Sequence, residues 1–278
     1  MKNLCVSALL LLFSIGISDA HKYEFFNAEK PKVLTADLNQ PIIRSMFTRS
    51  LNGYFKHKCF WDIGMGGALP LLSITNDSEK LVSVNVLGDI KSRFIVGAHS
   101  FDLLNSDYTG GLNLLMKKAF SLPGDTEVSL IHTSSHLGDE VTIDSATYRY
   151  SRINYSREII KALYHQSLPR NATHTFGAHY IIRKDPEIPH GRLALQYDIS
   201  VPFKFMGGSL FANSDIQCNQ EHNWNADVSL QISLRLGRET GQIFSQKLTL
   251  EFYDGYSRQG QFYDKRERYI SLGIIAHI

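Results

Sequence analysis

The chain has 278 residues, a formal net charge of +2, and 43% hydrophobic, 20% charged and 11% aromatic positions. It is too apolar for a disordered protein, and its near-neutral charge without a basic run argues against a nucleic-acid partner. Twenty glycines, thirteen tyrosines and sixteen phenylalanines against eight prolines suit strands and turns better than helices.

Residues 1–20 read as a secretory signal peptide. Lys2 gives a positive start, Leu4 to Ile17 an apolar run, and Ser18-Asp19-Ala20 the small residues of a cleavage site. The run of about 14 residues is short for a spanning helix, which needs about 20. Cys5 is expected to leave with this leader. Cys59 and Cys218 remain, as a disulfide or as two separate thiols. The mature domain is then 21–278.

No apolar segment after Ala20 is long enough to cross a bilayer as a helix. Stretches of about ten residues alternate instead with period two. Val82, Val84, Val86 and Ile90 alternate with Ser83, Asn85, Asp89 and Lys91. Tyr108, Leu112, Leu114 and Met116 alternate with Asp107, Thr109 and Asn113. Val228, Leu230, Ile232 and Leu234 alternate with Asp227, Ser229, Gln231, Ser233 and Arg235, and Leu248, Leu250 and Phe252 with Lys247, Thr249 and Glu251. Breaks are expected near Asn76-Asp77, Pro123-Gly124-Asp125, Pro169-Arg170-Asn171, Pro186, Gly207-Gly208, Asn219 to Asn223, Gly237 to Gly241 and Gly255 to Gly260.

A soluble sandwich alternates too, so the chain terminus tips the balance. Ile270, Leu272, Ile274, Ala276 and Ile278 share one face of Tyr269 to Ile278. This resembles the C-terminal sorting strand of outer-membrane barrels, with Ile278 where an aromatic is usual. In hydrocarbon every backbone donor and acceptor needs a partner, so a closed barrel is the strand-based solution. The expected fold is all-β: a transmembrane, antiparallel, up-and-down barrel of about 12 strands. If the last strand ends in the periplasm, the strands beginning near Thr126 and Ser245 run outward, and the segments closing them lie at the outer rim.

Both segments are chemically unusual. His132-Thr133-Ser134-Ser135-His136-Leu137-Gly138-Asp139-Glu140 packs two histidines, two serines and two acids into nine residues. On a strand His132, Ser134 and His136 share a face. Ser134 as nucleophile, His132 as base and Glu140 or Asp139 as orienting acid supply the inventory of acyl transfer. The alternatives are a hydrogen-bonded rim cluster that fixes a loop, or a divalent-cation site drawn from His132, His136, Asp139 and Glu140. No cofactor is required by the hydrolytic reading.

The His-x-Ser pair on a barrel strand resembles the active-site pair of outer-membrane phospholipase A and of the lipid A deacylase barrels, where it faces lipid. The Asn-Gly usual after that serine is replaced by Ser135-His136. In the second segment, Glu251 to Tyr263, the glycines imply a tight turn and the aromatics an interfacial girdle. A sharper reading has Asp254 or Ser257 complete the site begun by His132.

The order Leu104 to Tyr108, His132 to Glu140, Arg152 to Ser156 and Tyr253 to Tyr263 resembles a bacterial family, the domain of unknown function numbered 1207. The resemblance runs from about residue 40 to the end. It implies an exported, barrel-like envelope protein and supplies no activity. Three functions therefore stay open: hydrolysis of an acyl ester of a lipid or lipid A, a small pore lined by residues such as Asn85, Asp107, Asn113, Gln231 and Arg235, and a structural envelope role. The expected partners are outer-membrane lipid and, through Tyr269 to Ile278, the outer-membrane assembly machinery. The expected location is the outer membrane.

Overall fold

The computed structural model describes residues 21–52, 54–76, 79–97, 101–119, 122–143, 150–187, 191–205, 208–237 and 245–277. The expected leader with Cys5, and the terminal Ile278, lie outside the described residues. The strands are β1 (His21–Phe25), β2 (Ile43–Ser50), β3 (Cys59–Asn76), β4 (Glu79–Ile95), β5 (Asp102–Met116), β6 (Asp125–Leu137), β7 (Tyr155–Ser167), β8 (Thr173–Asp185), β9 (Leu193–Phe205), β10 (Gly208–Asn219), β11 (Ala226–Leu236), β12 (Ser245–Tyr256) and β13 (Arg266–His277). One short helix, α1 (Asp139–Ile143), follows β6.

Strands β2 to β13 form a closed antiparallel barrel of 12 strands. Each pairs with its neighbours in chain order, and β13 pairs with β2 to close the ring. Strand β1 is an addition, laid along the end of β3 from Phe25 opposite Leu72 to His21 opposite Asn76. No described helix is long and apolar enough to cross a membrane; the alternating strands present the apolar outer face typical of barrels that do so with strands. The expected breaks fall in or beside the connections, except that β12 continues through Gly255 to Tyr256 before turning. Strands β6 and β12 both run away from the end that holds the C-terminus, as the strand count required.

Alternation divides the wall into two surfaces. Outward lie exposed apolar side chains such as Met65, Leu69, Ile90, Leu112, Leu130, Ile160, Leu230, Ile232, Leu250 and Leu272. Inward lie buried polar ones, joined by ion pairs: Arg44 to Glu251 at 3.1 Å, and Arg93 to Asp62 at 2.6 Å and to Glu267 at 2.8 Å. Buried charges of this kind persist only when paired.

The lumen also holds chain. Residues 26–42 run inside it and bury Ala28, Thr35, Ala36, Asp37, Leu38 and Ile42. The wall binds this segment through its backbone and through the side chain of Asp37. Asn85 donates to the Glu29 carbonyl at 3.0 Å, Gln231 to that of Thr35 at 2.8 Å, and the Lys32 amide donates to Glu127 at 2.7 Å. Asp37 receives Lys161 at 2.6 Å, Gln196 at 3.1 Å and Gln217 at 3.2 Å. Asn85, Asp107, Asn113 and Gln231 do face inward, but they serve as anchors for internal chain and for one another. The space left in the lumen includes cavities of about 120 and 140 Å³, room for a handful of waters each. Cys59 and Cys218 are free thiols.

Candidate active site on the outer wall

The parity of β6 is set by its inward side. Glu127, Ser129 and Ser135 are buried, and Asn113 donates to Glu127 at 3.1 Å and to Ser129 at 3.0 Å. Val128, Leu130, His132, Ser134 and His136 therefore project outward, the two histidines well exposed and Ser134 half-buried. The ring of His136 stands edge-on to Tyr108, centroids 5.8 Å apart. Residues i and i+2 of a strand are about 7 Å apart at Cα, and among the described residues no hydrogen bond joins His132 to Ser134. Such bonds commonly tighten only with substrate present.

The acid that register brings to His132 is neither of those expected. Asp139 and Glu140 begin α1 beyond the end of β6, both exposed, and among the described residues no hydrogen bond or ion pair joins either to His132. Directly opposite His132 on β7 stands Glu158, and opposite Ser134 stands Ser156. Opposed residues in an antiparallel pair hold their Cβ atoms about 4.5–5.5 Å apart, which puts the Glu158 carboxylate within reach of the imidazole. Glu158 was missed because its neighbours Arg157 and Ile159 carry no motif. The signal was available in the hairpin register alone.

Beyond Glu158 the β7–β8 ladder slips. Glu158 pairs with Arg183 and Ile159 with Ile181, so Ile182 is the extra residue of a bulge. Bulges re-aim side chains next to functional sites. This one turns Arg183 outward, where its guanidinium, 75% exposed, lies 3.5 Å from Glu158. Charges on a barrel's lipid-facing wall cost about 2–4 kcal/mol at midplane and near zero at the interface. A charged patch on an apolar wall is accordingly a mark of function or of interfacial depth.

The wall on the other side of His132 is bare. Gly67, Gly88 and Gly110 stand opposite one another in register, and Gly110 stands opposite His132. A side chain added at any of the three glycines meets nothing within 4 Å. Met65, Ile90 and Tyr108 rise on one side of this row and Leu69, Val86 and Leu112 on the other.

The second motif does not complete the site as expected. Asp254 faces outward on β12, six strands round the ring from β6, and pairs with Arg266 at 3.2 Å and Arg268 at 2.5 Å. Ser257 is buried in the mouth and donates to Glu267. The next residues reach the site from behind. The Gly260 amide donates to Asp107 at 3.2 Å, and Gln261 donates to the carbonyls of Ser135 at 2.8 Å and Ile153 at 3.0 Å. Asn105 ties the cluster, donating to Asp107 at 3.0 Å and accepting from Ser135 at 2.9 Å. All four sequence motifs thus converge on the inner side of the strand that carries His132 and Ser134. Among the described residues no group of three His, Cys, Asp or Glu side chains is arranged to hold a metal ion, and Asp139 and Glu140 stand apart from His132.

The family model described as a protein of unknown function (DUF1207) matches residues 32–278, and the chain belongs to that family. No curated protein matches the sequence. Among solved structures the barrel is similar to outer membrane phospholipase A from Escherichia coli, at 14% identity and a TM-score of 0.61, covering 89% of this chain and 98% of that one. It is similar also to the Salmonella typhi outer membrane phospholipase dimer with bound calcium, at 14% identity and a TM-score of 0.57, covering 86% and 93%. At such identity the likeness is one of fold: this chain is an outer-membrane-type β-barrel.

Proposed function

We propose that this member of the DUF1207 family is an outer-membrane hydrolase of lipid acyl esters. The observation that carries the proposal is the shared outward projection of His132 and Ser134, with Glu158 opposite the histidine in register. An acyl ester held in the surrounding lipid meets this face and no other. Ser134 Oγ attacks the ester carbonyl while His132 accepts its proton. His132 returns that proton to the departing alcohol, and water, activated by the same imidazole, releases the fatty acid and restores Ser134. Glu158 fixes the ring and balances its charge when protonated. The Cβ-free row Gly67, Gly88 and Gly110 gives an acyl chain room to lie beside the pair.

The partners of this reading are membrane lipid and, through Tyr269 to Ile278, the machinery that inserts barrels. A pore is the weaker reading, because residues 26–42 fill the lumen and bind its polar wall.

The test is fatty-acid release from mixed micelles by the full chain, Ser134→Ala and His132→Ala. Arms with and without a chelator are included because the Salmonella relative is a dimer with bound calcium. Release that both substitutions abolish supports the hydrolase. Release that persists in Ser134→Ala, or none from the unaltered chain in either arm, ends it.

A further inference from the structure

Arg183 stands opposite Glu158, on the strand beyond it from His132, and its position is made by the bulge at Ile182. With regular pairing, alternation would turn it into the lumen, where Lys184 now points, buried. Its ion-pair partner is Glu158, at a loose 3.5 Å. The other outward acid nearby, Asp185, is occupied by the side chain of Asn154. Glu158 thus stands between two cationic or potentially cationic groups. In the structure it leans to Arg183, and among the described residues no ion pair joins an acid to His132.

We propose that Arg183 binds the anionic phosphate headgroup of a membrane lipid, and that this contact frees Glu158 to turn to His132. The inference rests on the hydrolase reading for its second half only. The ligand is a lipid phosphate because the guanidinium lies on the lipid-facing wall, level with Glu158 and one strand from the His132 strand's neighbour. A guanidinium meets phosphate with paired charge-assisted hydrogen bonds, stronger than one loose contact to a carboxylate. Once the phosphate takes Arg183, the like charges of phosphate and Glu158 repel. The nearest cation-forming group left to Glu158 is His132. An anionic substrate thereby assembles the Ser134–His132–Glu158 arrangement that hydrolyses it, and a neutral lipid does not.

Binding is read first on Ser134→Ala in neutral detergent by native mass spectrometry. The probes are short-chain phosphatidylglycerol and a galactosyl diacylglycerol of the same acyl length. Preference for phosphatidylglycerol by about tenfold or more is expected, with the preference lost on adding Arg183→Gln and kept with Arg183→Lys. An unchanged ratio in the Arg183→Gln protein overturns the proposal, as does complete displacement of the lipid by millimolar inorganic phosphate, which would mark a free-phosphate site. Hydrolysis is read second. Arg183→Gln should lower turnover of the anionic lipid and leave or raise that of the neutral one. Discrimination in binding without any hydrolysis would remove the hydrolase reading and keep the anionic-lipid site. Ser134-dependent hydrolysis that ignores Arg183→Gln would keep the enzyme and remove this inference.

Discussion

The side chain of Gln261 donates to the backbone carbonyl of Ser135 at 2.8 Å, a contact between residues 126 apart in sequence. Its carbonyl oxygen meanwhile accepts from the Ile153 amide at 3.0 Å. One amide therefore ties the loop after β12 to β6 and to the segment entering β7. Ser135 is the inward neighbour of Ser134, so the loop holds from within the strand that presents the outward pair.

Gln261→Ala should strand buried backbone groups of Ser135 and Ile153, at about 1–3 kcal/mol. Gly260→Ala should act in the same direction, since a Cβ there falls 2.6 Å from Ser135 Cβ and 2.6 Å from the Tyr155 ring. The check is the urea midpoint of the barrel in detergent, read by the mobility shift between folded and unfolded bands. No change in either variant would mean that the loop does not brace β6.

Glu158→Gln tests the acid that register selects. In the hydrolase reading it keeps the shape and loses the charge, so kcat should fall by about 10²–10⁴ with KM little altered. Asp139→Asn and Glu140→Gln, both exposed beyond the strand, should leave kcat within about twofold of the unaltered chain. The opposite ranking would restore the acids of the first motif to the site.

Asp37→Ala should destabilise the packed lumen strongly, by about 3–5 kcal/mol, because it leaves the buried Lys161 ammonium without its carboxylate. Pairing it with Lys161→Met should recover much of the loss. Recovery is measured in the same urea experiment. A double variant no better than Asp37→Ala alone would mean that the ion pair is not the main attachment of the internal segment.

His222 gives the mouth of the barrel a pH response. Burial lowers its pKa below 6.5, outweighing the pull of Asp227 and Glu221 in the other direction. Its ring stacks on Tyr256 with centroids 3.7 Å apart and planes 11° apart. Because the folded state disfavours the proton, the unfolded state binds more of it, and stability falls as pH drops through about 6.5. Above that range the contribution is flat. Urea midpoints should therefore decline between pH 7.5 and 5, and His222→Phe should flatten the decline. An equal decline in the variant would assign the effect to other groups.

Much of the barrel was legible because alternation is a local property. Val82 to Lys91 and Val228 to Arg235 disclose their two faces residue by residue, and an even strand count then fixes direction. The convergence of the motifs was not legible. Nothing near Gln261 in sequence says that it reaches Ser135, and Asp254, closer to the motif's visible chemistry, lies on the far side of the ring. Residues 26–42 were equally silent, since neither their backbone contacts nor the Asp37 carboxylate that binds Lys161, Gln196 and Gln217 belongs to a periodic pattern.

By itself, then, the sequence determined the strand-and-turn pattern, the shared face of His132 and Ser134, and the family. Each depends on spacing along one strand or on a contiguous motif. Only the tertiary structure decided that this face points outward, which acid stands opposite His132, that a one-residue bulge brings Arg183 beside Glu158, and that the lumen is occupied. Those are matters of register and closure. A single residue of slip exchanges inside for outside, and the interstrand pairing that sets it lies between segments whose local patterns allow more than one alignment.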